Sequence, residues 1–473
     1  MELNVLKQIN LYKIFSVVVI LLGIILRITA FLHGRPFWLD ESSLALNIVD
    51  NNDYFSPLLY VQAAPPFFMY LSKFIYNIVP LDAEFSLRII PFLASVTALF
   101  LFYLFINKIF KNNIAKIVSL SLFAFNFKLI YYSSEFKQYS LETLIFLIII
   151  FVFLKVKDMK SIQKVIYGLL LGIAIWFSNA SVVAILSIGI TYIIDKIRFK
   201  DFKPIDIFIF LPSVISLAIY YVVLYPTIHN EKLHTFWQNF FIKNDFSNIS
   251  YIITDNSDFF FHSHIELFST LVFLGIFIFL LKKQYIVVIP IIMTYLMSYL
   301  HICPSHGRII LFILPFLIIS ASSFADFKSK YIKYPAILFA IIYLILPQWN
   351  YSKRQFLYNR LLYEDISSPL KLAAEYIQQG DYLLTDSGNI SSFNYYTKFH
   401  NFDKSRIIII SQEEPDFTQS FKNLPKGRYF YVFSHSRDRK WKLKSINEIS
   451  KQLDNCKIEK FQYDNLLMTF TIF

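Results

Sequence analysis

The stretch IFSVVVILLGIILRITAFLHGRPFWLDESSLAL, residues 14–46, decides the class of this chain. Its first part, 14–32, is apolar apart from Arg27 and a few small polar residues. That is long enough to cross a bilayer as a helix, which takes roughly 20 residues. Lys7 and Lys13 precede the run, as they would in a secretory signal, but no small-residue cleavage site follows. The run therefore reads as a first transmembrane helix. Directly beyond it come Pro36, Phe37 and Trp38, and then an acidic pair, Asp40 and Glu41, where the chain leaves the membrane.

The rest of the chain agrees with a membrane reading. Of its 473 residues, 56% are hydrophobic and 19% aromatic. Only 16% are charged, against roughly 25% in an ordinary soluble domain. A soluble fold cannot hide that much apolar surface from water, so lipid covers part of it. The formal net charge of +12 would suggest nucleic acid in a soluble protein. Here it reads as loops facing an anionic leaflet, and no nucleic-acid partner is expected. Cys303 and Cys456 are the only cysteines, which leaves no disulfide framework or zinc cluster.

Apolar runs at 14–32, 88–107, 114–131, 140–154, 165–177, 180–194, 205–225, 265–281, 285–300, 309–324 and 335–347 predict a polytopic α-helical bundle of about eleven spans. Alternate connections are basic: Lys108 and Lys111; Lys155 to Lys164; Lys196 to Lys203; Lys282 and Lys283; Lys328 to Lys333. Basic loops stay in the cytoplasm, which predicts a cytoplasmic-membrane protein with its N-terminus in the cytoplasm and its C-terminus outside. The apolar stretch 63–79 would invert every later loop if it crossed, so it is expected to lie along the outer surface. The outer face then holds loops 33–87, 132–139, 226–264 and 301–308 and everything after about Gln348. Beyond that point helical and strand-like signals alternate: helices near 367–379, 390–398 and 445–454, and strands at 382–386, 406–410, 428–433 and toward Phe473. The expected domains are therefore a transmembrane domain over 1–347 and a small outer α/β domain over 348–473.

A carboxylate at the membrane surface can take a proton from an attacking hydroxyl, which makes Asp40 a candidate general base. The alternative is that Asp40 merely caps a helix starting near Ser42. Its neighbourhood bears on the choice. After the acidic pair come AAPPFFMYL (63–71), EFSLRIIPFLASV (84–96) and YYSSEFKQYSLE (131–142), while Arg27 precedes it.

As an ordered set these elements resemble bacterial members of the GT-C glycosyltransferase superfamily. The subgroup most similar is the one with protein O-mannosyltransferases and the lipid A aminoarabinose transferase. The family carries an acidic pair in the first outer loop, a Pro-Pro juxtamembrane segment, an E-x-x-x-R-x-x-P entry into the second span, and a Tyr-containing second outer loop. The match covers most of 14–145 and the general plan to the C-terminus. Departures exist: the Pro-Pro segment follows Gln62, Ala63 and Ala64 in place of His or Lys, Lys137 stands where Arg is usual, and Arg308-Ile309 replaces Arg-Tyr. Lys keeps the charge and loses the bidentate fork that suits phosphate.

The resemblance implies inverting transfer of a sugar from a polyprenyl-phosphate donor to a lipid, glycan or protein acceptor on the outer face. Such a transfer needs a base for the acceptor hydroxyl and cations for the departing phosphate. Asp40 is the candidate base, Glu41 its positioning partner, and Glu135 a substrate-orienting acid. Arg88, Lys137 and Arg308 are candidate phosphate contacts, with interfacial snorkelling as the alternative for the first two. Tyr139, Pro65 and Pro66 are expected to position substrate. No cofactor is required, and a divalent metal is left open: His262 and His264 lie near Asp255 and Asp258, but their i, i+2 spacing is a weak metal signal. The Tyr and Phe clusters at 131–132 and 258–261 read as interfacial belts. The outer α/β domain has no acidic pair or phosphate-cradling loop, and is expected to position or select the acceptor. The rival readings are a lipid-linked polysaccharide polymerase or ligase, with Arg and His in late loops, and a transporter, with paired polar groups at mid-membrane.

Overall fold

The computed structural model describes residues 2–472 except 201–205, 262–264, 327–329, 358–363, 412–418, 422, 435–439, 452 and 462–465. The chain divides into two compact units that interleave along the sequence. One comprises Met1–His33, Asp53–Pro57 and Ala63–Asn359; the other comprises Gly34–Asn52, Leu58–Gln62 and Arg360–Phe473.

The first unit is helical, and among the described residues each of the eleven apolar runs falls mostly on helix. Four helices among the described residues are long and apolar enough to cross a membrane: Leu11–Leu32, Ala83–Ile109, Ala180–Phe199 and Gly307–Asp326. A fifth candidate is the pair Asn113–Phe125 and Phe127–Ser134, bent by 47°. Shorter apolar helices include Tyr139–Phe153, Ser161–Phe177 and Tyr285–Tyr299. The Glu2–Leu32 helix leaves Leu11, Ile14, Phe15, Val18, Leu21 and Ile25 exposed at helical spacing. Water would not tolerate that stripe, and lipid would. The protein is a multi-pass membrane protein.

The bend has a local cause. Asn126 stops the first helix and caps the second, accepting the backbone N–H groups of Lys128 (3.0 Å) and Leu129 (3.1 Å). Arg27, fully buried, donates from Nη1 to the Ala124 carbonyl (3.0 Å) and the Gly23 carbonyl (2.9 Å), and from Nε to Ser95 Oγ (2.8 Å). A broken helix frees backbone groups that lipid cannot satisfy, and these two side chains supply partners. Glu142 serves similarly, accepting the Asn179 N–H at 3.1 Å where a new helix begins. The stretch 63–79 forms the helix Pro66–Ile78, with Pro65 at its N-cap and Pro66 in its first turn, where a missing N–H costs nothing.

The second unit carries a five-stranded mixed sheet: β1 (Tyr382–Asp386), β2 (Ile407–Ile410), β3 (Gly427–Phe433), β4 (Asp454–Lys460) and β5 (Leu466–Ile472), in the order β2-β1-β3-β5-β4. β1 pairs parallel with β2 and β3, and β5 pairs antiparallel with β3 and β4. Tyr429, Tyr431 and Phe433, two residues apart, share one face and meet Leu384, Phe421, Ile446, Met468 and Phe470 in the core. Packed with this sheet unit is the helix Leu39–Asp50, which carries the acidic pair.

Candidate active site

In the sheet unit, Leu39–Asp50 begins after an extended Trp38, which makes no side-chain cap bond. Asp40 and Glu41 therefore lie inside the first turn, and neither is the cap. This overturns the capping alternative for Asp40. The cap comes from far along the chain: Glu364 Oε2 accepts the Leu39 N–H at 3.2 Å, and Tyr396 Oη accepts the Phe37 N–H at 2.7 Å. Phe37 also meets Tyr395 edge-on at 5.4 Å. At the other end Lys398 pairs with Asp50, to which Tyr60 Oη also donates at 2.7 Å. Burial would raise the Asp50 carboxyl, but the Lys398 and Tyr60 bonds outweigh it and hold it below the usual aspartate value.

The two acids differ in what they touch. Glu41 is fully buried and pairs with Arg35 at 3.0 Å, itself only 5% exposed. Asp40 is half-buried, and Gln62 Nε2 approaches its Oδ1 at 3.4 Å. Gln62 is brought there by Asn47, whose side chain exchanges bonds with the backbone of Tyr60 at 2.9 and 3.2 Å. Glu41 is an anchor, while Asp40 is partly buried as a residue, with its Oδ2 shielded from solvent.

In the helical unit the segment 132–139 is a compact turn. The Lys137 N–H reaches the Glu135 carbonyl at 2.7 Å, and Tyr139 opens the Tyr139–Phe153 helix. Phe136 meets Phe68 at 5.8 Å and Gln138 Nε2 approaches the Ala63 carbonyl at 3.4 Å, so the Pro65-Pro66 helix packs against this turn. Arg88 heads the Ile89–Ile109 helix, which packs against the preceding turn 132–134. Arg88 is 1% exposed and Lys137 2%. A snorkelling side chain carries its charge out to water, so that alternative is corrected for both. The belt reading also fails for Tyr131, Tyr132, Phe260 and Phe261, all buried inside the unit.

Arg308 follows a turn strapped to the helix Phe246–Phe260. Asn256 donates to the Ser305 carbonyl (2.8 Å) and accepts the Gly307 N–H (2.6 Å). Gly307 has φ +39°, and a Cβ there would lie 2.9 Å from the Phe259 ring. Beside it, His306 Nδ1 lies 2.9 Å from Asp255 Oδ2. Burial pulls the His306 imidazole down and Asp255 only partly restores it. Lys128, set over the Phe259 ring at 3.8 Å, is in electrostatic range of Glu135, Asp258 and His306, and Arg308 is in range of His306. The turn thus joins two predicted residues, Glu135 and Arg308, to three that the sequence reading did not assign: Lys128, Asp255 and His306. Arrayed cations of this kind suit an anionic leaving group. His262 and His264 lie outside the described residues, and among the described residues no cluster of three His, Cys, Asp or Glu side chains could hold a metal.

Over nearly its whole length the chain shares the GT-C fold with solved structures. ArnT from Cupriavidus metallidurans, solved bound to undecaprenyl phosphate, is similar over 98% of both chains, with 12% identity and a TM-score of 0.51. The oligosaccharyltransferase of Archaeoglobus fulgidus in its apo form matches 88% of this chain and 66% of its own, at 13% identity and a TM-score of 0.53. AglB from the same organism, solved with an inhibitory peptide and a dolichol-phosphate, matches 96% of this chain and 74% of its own at 10% identity and a TM-score of 0.50. No family model and no curated protein matches the sequence.

Proposed function

We propose that this chain is an inverting glycosyltransferase that moves a sugar from a polyprenyl-phosphate-linked donor to an acceptor on the outer face of the cytoplasmic membrane. The acceptor oxygen attacks the anomeric carbon while the bond to the phosphate oxygen breaks, and the phosphate leaves with the electron pair. Asp40 takes the acceptor proton; Arg88, Lys137 and Arg308 neutralise the departing phosphate; Glu135, Tyr139 and the Pro65-Pro66 segment position substrate. A single displacement inverts the anomeric centre.

The observation that carries this reading is the arrangement of the acidic pair in one helical turn, where Glu41 is bound to Arg35 and the neighbouring Asp40 faces Gln62. The lipid phosphates held by two structural neighbours support the donor class. Against transport, the buried charges Arg27 and Glu142 within the spans are engaged with backbone groups at helix breaks. The test is incubation of purified protein with a panel of radiolabelled polyprenyl-phosphate sugars and candidate acceptors. Transfer from none of them, alongside transport activity in vesicles, would reject the proposal. The outward placement of everything after Gln348 is checked by cysteine labelling at position 390 in intact cells. Labelling only after permeabilisation would reverse the topology.

A further inference from the structure

At the lysine-rich end of the helical unit, three helix ends enclose a cavity of about 440 Å³. Lys108 comes from the last turn of Ile89–Ile109, Phe151 and Leu154 from the end of Tyr139–Phe153, Lys155, Asp158 and Met159 from the following turn, and Gln163 from the first turn of Ser161–Phe177. The volume falls within the range of small-ligand sites, roughly 300–1,000 Å³.

The charges around it are not balanced in the same way. Asp195 pairs with Lys157 at 2.9 Å, and buried Asp206 takes both Lys164 (2.8 Å) and Lys196 (3.1 Å). Those carboxylates are engaged. Lys108 and Lys155 have no carboxylate partner among the described residues, although Asp158 lines the same cavity. Lys155 instead lies 5.8 Å from the Phe151 ring centre. Gln163 accepts the Lys160 N–H through its side-chain oxygen at 2.8 Å, which leaves its amide N–H groups to donate. The cavity therefore offers two ammonium groups and an amide donor beside the apolar Phe151, Leu154 and Met159.

Its depth identifies the occupant. Its lining comes from the ends of three apolar helices and the turn that joins two of them, where helix ends meet the level of lipid headgroups. Leu104, one turn back from Lys108, and Ile148, Ile162 and Ile166 on the adjoining helices are exposed apolar side chains along which acyl chains can lie. We propose that this cavity binds the phosphate headgroup of an anionic phospholipid. The occupant is a structural or regulatory lipid, independent of the sugar donor and of the transferase reading.

The test is native mass spectrometry of the full-length, delipidated protein titrated with phosphatidylglycerol or phosphatidylcholine. The wild type should take up a first phosphatidylglycerol about thirtyfold more tightly than K108Q/K155Q, the change expected for two ammonium–headgroup attractions. The two proteins should not differ for phosphatidylcholine. K108R/K155R should bind like the wild type, as should K232Q/K243Q, which alters exposed lysines of the 226–264 loop. Equal phosphatidylglycerol affinity in the wild type and K108Q/K155Q overturns the proposal, and so does an equal loss in K232Q/K243Q. Displacement of the lipid by inorganic phosphate at matching concentration would show a free-anion site, and overturns the lipid assignment.

Discussion

Asp40→Asn and Glu41→Gln should fail in opposite ways. Asp40 occupies the first turn of Leu39–Asp50, near the positive end of the helix dipole. Removing its charge there costs about 0.3–1 kcal/mol of stability. Its contact with Gln62, at 3.4 Å, is at the long limit and adds little. Asn matches Asp in size, so the fold should survive. Turnover should fall at least about a hundredfold, because Asn cannot accept the acceptor proton. Glu41→Gln instead breaks a pair in which both side chains are at most 5% exposed. Breaking such a pair costs about 3–5 kcal/mol, which a marginally stable domain feels as partial unfolding. Glu41→Gln should therefore cost more stability than Asp40→Asn, and Asp40→Asn more turnover. The assay is thermal unfolding of each purified variant beside turnover on a verified donor and acceptor. If Asp40→Asn keeps most of its turnover, Asp40 is structural and Glu135 becomes the leading base. If Glu41→Gln melts like the wild type, the anchor assignment is wrong.

Three further outcomes follow from named contacts. Glu364→Ala removes the remote cap of Leu39–Asp50 and should cost about 1 kcal/mol and lower turnover at unchanged donor affinity, with Glu364→Gln, whose amide oxygen still accepts, largely rescuing it. Gly307→Ala forces a Cβ against Phe259 at positive φ, so donor affinity in equilibrium binding should drop as Arg308 is displaced; wild-type affinity would mean the turn does not aim Arg308. Asp50 has a depressed pKa in the folded state, so its stabilisation is present above the unfolded value of about 3.9 and is lost as pH falls through the lower folded value. Acid unfolding of Asp50→Asn should therefore show a shallower loss than the wild type below about pH 4.

Local patterns made most of the fold legible. Apolar runs located the helices, and RYFYVF was readable as a strand because Tyr429, Tyr431 and Phe433 face one core while Phe430 and Val432 are buried on the other side. Local patterns also misled. An acidic residue before a helix suggests a cap, and the chain instead brings in Glu364 from 325 residues away. Long-range pairing of that kind has no sequence signature. The His306–Asp255 contact spans 51 residues and was equally hidden. Its one available signal was Ser305-His306-Gly307-Arg308, where a glycine beside a candidate phosphate contact hints at a left-handed turn that re-aims the chain.

On the proposed mechanism the sheet unit has a larger role than its lack of catalytic motifs suggests. Adjacent helical residues point about 100° apart, so one turn can bury Glu41 against Arg35 and turn Asp40 toward Gln62. That orientation holds only while the helix is held at both ends, by Glu364 and Tyr396 at its start and by Lys398 at its finish. Tyr396 and Lys398 belong to the stretch expected to position or select the acceptor. Deleting 365–473 should therefore lower turnover with every acceptor, water included. Donor binding should persist, since Arg88, Lys137 and Arg308 belong to the helical unit. The decisive measurement is donor hydrolysis by a stably inserted truncated protein. If it hydrolyses donor at the wild-type rate yet fails to glycosylate, the domain only selects the acceptor, and Asp40 keeps its aim without it.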